Sequence, residues 1–341
     1  MKNYIGKKES MATLVFFSLP IVVFEYSTKS LENSGSGSCI NFILCFLVSF
    51  ALLYLIKNSF ENLQASSVFN KIVSLVFCLY ILFLGFNNYS ICLSSLLSVT
   101  SNAGIDGEFL SLFIILISLL CSLCGIEALT RCTFVSYWVF LSVIFVMCLL
   151  SIFGWDYDNI APVFGNDTKT TFLNFGGIKT FAPIMSLYFF KNHLRNKADG
   201  VAVSKSALLK IFGIGFFIIV VCILSVPYPM GMLYNFSLEG IFSTAKSGLF
   251  FHRFEIVLVF GVSLIAVVTT ALGILVSSGA ISHFTGFEDA KAFSFIIAFL
   301  FYITNLNFDF KMPFELLSVL LYMLLLIKSF MNYKKKKGEK I

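Results

Sequence analysis

The stretch Thr170–Phe190, TTFLNFGGIKTFAPIMSLYFF, decides how the chain is read. It is apolar enough to enter a bilayer, yet Gly176 and Gly177 fall a third of the way in, Lys179 follows, and Pro183 comes after. A glycine lowers helix stability by about 1 kcal/mol relative to alanine, and a proline by about 3. A lysine at membrane depth costs about 2.5–3.5 kcal/mol on insertion scales. The bland alternative is a kinked structural helix with Lys179 snorkelling outward. Irregular backbone survives in a membrane only where protein or a water-filled cavity covers it. Its unpaired N–H and C=O groups are then open to a small polar molecule. The segment is therefore expected to line a small-molecule site.

The rest of the composition sets the frame. Of 341 residues, 58% are hydrophobic and 12% charged, and the mean hydropathy is +0.92. Soluble domains carry about 25% charged residues, so this is a polytopic membrane protein. Residues 1–341 form a single transmembrane domain with no room for a large soluble one. Met1–Ser10 is polar and basic, and no small-residue cleavage site follows the first apolar run, so no cleavable signal is expected. All of the nine cysteines but Cys39 lie in or beside apolar segments, which argues against a disulfide framework. Cys121 and Cys124 have redox-motif spacing but no acidic or histidine partner, and read as packing. His193, His252 and His283 are scattered, without metal-ligand spacing. Neither a cofactor nor a metal is expected. No nucleophile–base pair or phosphate loop appears, and the longest outer loops, Trp155–Lys169 and Pro227–His252, are too short for a membrane glycosyltransferase or polymerase. The chain reads as a non-enzyme.

A membrane span needs about 20 apolar residues, and ten are read. They are Met11–Ser30 with Pro20 in its middle and Glu25 beyond, Ile40–Ile56, Lys71–Leu96, Phe109–Gly125, Cys132–Gly154, the broken sixth at Thr170–Phe190, Ala207–Val226, Phe254–Ile281, Ala292–Asn305 and Phe314–Tyr333. The third is read as interrupted by Gly85 and Asn87–Asn88. With the N-terminus in the cytoplasm, cytoplasmic pieces carry 18 of the 24 Lys and Arg; only Lys29, Lys169, Lys179, Lys246, Arg253 and Lys311 fall elsewhere. By the positive-inside rule both termini are cytoplasmic. The net charge of +6 reflects that bias and gives no reason to invoke nucleic acid. The basic tail, residues 334–341, is a topology anchor with a secondary affinity for anionic membrane lipid.

Ten spans divide into five plus five, about 11–154 and about 170–333. An odd number per half inverts the second half, so span one, with Pro20, corresponds to span six. Interrupted segments at corresponding positions point to a transporter-type site. Helix ends carry about half a unit charge. A half-helix starting near Ile178 after the Gly176–Gly177 break, with Lys179 beside it, would take a carboxylate. The carbonyls released by Pro20, near Phe16 and Phe17, would take an amine. Tyr80 and Phe260 are placed as walls, and the Phe-rich lining favours a small or hydrophobic amino acid.

Three short motifs carry a resemblance. Span four ends Gly125-Ile-Glu127-Ala-Leu-Thr-Arg131, with Glu127 and Arg131 spaced to pair on one helix face. Asn159-Ile-Ala-Pro162-Val-Phe-Gly165 follows span five, and Arg253-Phe-Glu255 opens span eight. In this order within a ten-span frame, the chain resembles the spore germination permease family, the integral-membrane B subunit of germinant receptors, within the amino acid–polyamine–organocation superfamily. The family often has a glutamate in its broken sixth span, where this chain has Lys179. The resemblance implies a LeuT-like, all-α fold with broken helices one and six. It implies a germinant-sensing subunit of the spore inner membrane that binds an amino acid or similar germinant. That subunit would signal to A-type and C-type receptor subunits to start germination. The alternative on the same fold is an amino acid permease, a secondary transporter.

Overall fold

A computed structural model describes residues 4–27, 29, 34–56, 68–100, 106–152, 155–160, 168–173, 175–196, 199–225, 255–286, 290–307, 317 and 320–329. Nearly all of these residues are helical.

Span one begins as an α-helix, Lys7–Pro20, and continues as a π-helix, Ile21–Tyr26. Proline has no N–H for the ladder, and the hydrogen-bond register shifts after it: Ile21 N–H donates to the Ser18 carbonyl, three residues back, before the wider π turn begins. Span two is Ser38–Ile56 and span three Val68–Thr100. Spans four and five, Gly107–Leu123 and Ile126–Ser151, meet at a turn of two residues. Gly125 makes that turn at φ 92°, in the left-handed region, where a side chain strains the backbone. Span six is assembled from Thr168–Leu173, a 3-10 stretch Phe175–Ser186, and Leu187–Phe190. Span seven is Gly200–Ser225, span eight Glu255–Thr285, span nine Ala290–Asn307, and the tenth contributes Leu320–Ser329.

Two departures from the sequence reading concern backbone. The third span is one unbroken helix. Gly85 is not a break but a notch: a Cβ built there would stand 3.0 Å from Gly273 Cα of span eight. Small residues let membrane helices approach closely. The interruption of span six is also spread out. A 3-10 helix seldom runs beyond about three or four residues, and this one takes in Gly176, Gly177, Ile178 and Pro183. Ile178 thus lies inside it and does not begin a new half-helix.

Span one is the hub. It packs against spans three, five, six, seven and eight, and its residues from Ala12 to Val23 are buried. At its N-terminal end, Ile5 bridges the chain just past span six. Ile5 N–H donates to His193 O at 2.8 Å and Arg195 N–H to Ile5 O at 3.3 Å. Lys7 and Asp199 approach to 3.8 Å beside them. The two interrupted spans are therefore tied at this end by backbone.

Candidate functional site

At the other end the tie is made by side chains. Glu25 sits in the π-helical turn of span one and Lys179 in the 3-10 stretch of span six. Lys179 Nζ donates to Glu25 Oε1 at 2.6 Å, and the two side chains are only 11% and 13% exposed. Lys29 Nζ reaches the same oxygen at 2.7 Å from the edge. A charge at membrane depth must find an opposite charge, and here each interrupted span supplies one. Two ammonium groups thus meet one carboxylate oxygen, Lys179 enclosed and Lys29 mostly exposed. Glu25 Oε2 is buried and has no hydrogen-bond partner.

Beside this cluster runs a buried polar chain. Tyr26 O–H donates to Asn41 Oδ1 at 2.7 Å, and Asn41 Nδ2 donates to the Thr171 carbonyl at 2.8 Å. The network joins spans one, two and six. At Gly177 these spans touch closely. A Cβ there would lie 2.7 Å from Tyr26 Cε2 and 2.8 Å from Cys45 Sγ, so this glycine is needed for space.

Aromatic rings pack next to the polar chain. Phe42 stacks on Phe181 at 5.4 Å and Phe212 at 5.9 Å, and Phe46 on Phe212 at 4.3 Å. Gly215 of span seven admits Phe42, whose ring would be 2.6 Å from a Cβ at that position.

The residues singled out in the sequence separate into groups. Phe16, Phe17 and Pro20 are buried in the hub. Their carbonyls are not equally available: Phe17 O accepts from Asn88 Nδ2 of span three at 2.8 Å. That partner was not anticipated, and it meets the carbonyl that Ile21 leaves. Tyr80 is fully buried. Gly177 and Lys179 meet span one as described, and Ile178 packs against the core beside them. Phe260 lies apart, 57% exposed on the outer face of span eight, so it does not line the interior. Glu127 and Arg131 pair at 2.6 Å, with Arg131 65% and Glu127 36% exposed. Glu255 opens the eighth helix; Pro162 and Arg253 lie outside the described residues. Asn159 of the second motif donates to the Leu224 carbonyl at the end of span seven, at 3.2 Å. Sequence reading missed that Glu25 answers Lys179. The signal was present: Glu25 is the single acidic residue of span one, Lys179 the single charged residue of span six, and the signs are opposite.

No protein-family model matches the chain, and no curated protein matches it. Among solved structures, the chain is similar to a Na+-coupled sialic acid symporter in its substrate-bound outward-open state. The match covers 96% of this chain and 80% of the symporter, at 13% identity and a TM-score of 0.69. Identity that low speaks to fold and not to substrate. The fold is accordingly LeuT-like and nearly all-helical: among the described residues six helices are long and apolar enough to cross a membrane, three shorter apolar helices accompany them, and spans one and six are interrupted.

Proposed function

We propose that this chain binds a small organic solute between its interrupted first and sixth spans and carries it across the membrane as a secondary transporter of the amino acid permease type. The observation that carries the reading is the buried Glu25–Lys179 pair, which places charge at depth on both interrupted spans of a transporter fold. Lys179 and Lys29 bring two ammonium groups to one carboxylate oxygen, and the same N–H donors suit a solute carboxylate. The neighbouring Phe42, Phe46, Phe181 and Phe212 rings suit an apolar side chain. Uptake of radiolabelled leucine and alanine into vesicles holding purified protein tests this. Saturable uptake that falls in Lys179→Gln but persists in Glu127→Gln is expected. The absence of uptake with both solutes overturns the transport reading.

A second reading rests on the three motifs and keeps the same solute site. Here the protein is a germinant-sensing subunit of a spore inner membrane, with both termini cytoplasmic. It binds an amino acid and biases A-type and C-type partner subunits, a population shift without flux. The support is the Gly125–Arg131 turn, whose glycine and ion pair each have a structural task. Co-purification with A- and C-type subunits, together with solute binding and no uptake, would favour it over transport.

A further inference from the structure

We propose that Lys328, in the last described turn of span ten, anchors a site for the phosphate of an anionic phospholipid, at the seam between spans two and ten. The side chains of span ten sort into two stripes. Leu320, Met323 and Ile327 are exposed and form the face turned to lipid, while Leu321 and Leu325 are buried and form the face turned inward. Lys328 stands seven and three residues beyond that second pair, on the same helix face, and is itself only 3% exposed. A lysine at such a position is costly, because a charge leaves water only when an opposite charge and hydrogen bonds meet it. Lys328 Nζ has neither. It is buried without a hydrogen-bond partner, and no ion pair among the described residues includes it. Lys179 is enclosed to a similar degree and has Glu25.

Position narrows the missing anion. Ser329 Oγ donates to the Leu55 carbonyl at 2.6 Å, so the end of span ten lies against the end of span two. In the sequence both apolar runs stop here: Lys57 follows Ile56, and Lys334–Lys337 follow span ten. Basic residues at the ends of apolar runs mark the level of the lipid headgroups. On either side of the seam the outer surface is apolar, with Tyr54 and Leu55 of span two and Met323 and Ile327 of span ten exposed. Acyl chains lie over such a surface, and a phospholipid seated there brings its phosphate to the end of the seam. An ammonium is a compact charge with three donors, and a lysine stem can carry it along apolar surface to the interface. The carbonyl end of span two favours a cation nearby, but it offers a partial charge, and the Leu55 carbonyl is already taken by Ser329. A zwitterionic headgroup keeps its phosphate beside its own cation, whereas a headgroup of net negative charge leaves the phosphate to Lys328. The basic tail would attract anionic lipid diffusely; Lys328 would hold one molecule.

The test uses full-length protein in nanodiscs of phosphatidylcholine, with and without phosphatidylglycerol, read as thermal melts. Native mass spectrometry of the detergent-purified protein counts the phosphatidylglycerol retained. The wild type is expected to melt higher with phosphatidylglycerol and to retain one molecule of it. Lys328→Met keeps a stem and drops the charge. It should bind this lipid roughly tenfold or more weakly, as expected for the loss of one hydrogen bond to a charged group, and its melt should no longer respond to phosphatidylglycerol. In phosphatidylcholine alone it should melt level with the wild type or above it, because an unpaired buried charge has been removed. Lys328→Arg should keep the lipid response, and replacing Lys334–Lys337 with glutamine should leave the retained molecule in place. An equal response to phosphatidylglycerol in the wild type and Lys328→Met overturns the assignment, as does its loss in the tail variant. Inorganic phosphate that protects the wild type in phosphatidylcholine as fully as phosphatidylglycerol does overturns it too, since the site would then take a free anion. If Lys328→Met yields no folded protein, the wild type decides: no gain from phosphatidylglycerol over phosphatidylcholine overturns the assignment.

Discussion

Two ion pairs in this protein have the same length and different consequences. Lys179 reaches Glu25 at 2.6 Å, and Arg131 reaches Glu127 at 2.6 Å. The first joins two interrupted spans far apart in sequence, with both side chains nearly enclosed; the second spans one helical turn, half in the open. An exposed pair at this helical spacing contributes about 0.3–0.5 kcal/mol. Breaking a buried pair costs about 3–5 kcal/mol, because the remaining charge has nowhere to go. Distance therefore says little, and enclosure decides. The same contrast separates function from scaffold: the enclosed pair sits where the backbone is irregular, the open one at an ordinary helix start.

The largest effect expected is at Lys179. Lys179→Met leaves Glu25 to Lys29 alone, and a loss of about 3 kcal/mol in unfolding free energy in detergent is expected. Charge reversal at both positions, Glu25→Lys with Lys179→Glu, should recover part of it. Next comes Gly177→Ala, which puts a methyl against Tyr26 and Cys45; overpacking of this kind costs about 1–3 kcal/mol. A larger residue at position 177 should cost more, and the trend is readable as the yield of folded protein.

Gly125→Ala separates backbone from space. Nothing lies within 4 Å of a Cβ there, yet φ is 92°. The cost expected is conformational, about 1–3 kcal/mol, and it should be the same for Ala and Ser. Glu127→Ala in the same turn should cost no more than about 0.5 kcal/mol, and high salt should erase the difference. If Glu127→Ala costs as much as Lys179→Met, enclosure is not what distinguishes the two pairs.

The smallest effect concerns the end where backbone ties the spans. Burial holds the His193 imidazole below its usual value. The unfolded chain then takes up a proton first as pH falls, so stability is full above about pH 6.5 and declines below it. A thermal-melt series from pH 8 to pH 5 should show this decline, and His193→Asn should flatten it.

The fold was legible because hydropathy and charge bias are long-range averages. Span two, read at Ile40–Ile56, lies at Ser38–Ile56; span four, read at Phe109–Gly125, lies at Gly107–Leu123. Local breaks were less legible. Gly85 has the composition of an interruption, but its role depends on Gly273, which lies on another helix. Pro20 and Gly176–Gly177 did mark distorted backbone, although the distortion became a π turn and a 3-10 stretch rather than two open ends. Within the site, Lys179 announced itself as a lone charge. Its partner was deducible from the inverted symmetry, which makes spans one and six neighbours. The partners of Asn41 and Asn88 were not deducible, because an amide in an apolar helix does not reveal which face is enclosed.

The most direct test of the account is a double-mutant cycle at Glu25 and Lys179, read as unfolding midpoints of Glu25→Gln, Lys179→Met and the double variant. Each single variant should melt well below the wild type, and the double variant should melt above the Lys179→Met single, because removing both charges leaves none buried and unpaired. Strictly additive losses would contradict it, since the two residues would then stabilise the protein separately and the interrupted spans would not be joined by charge.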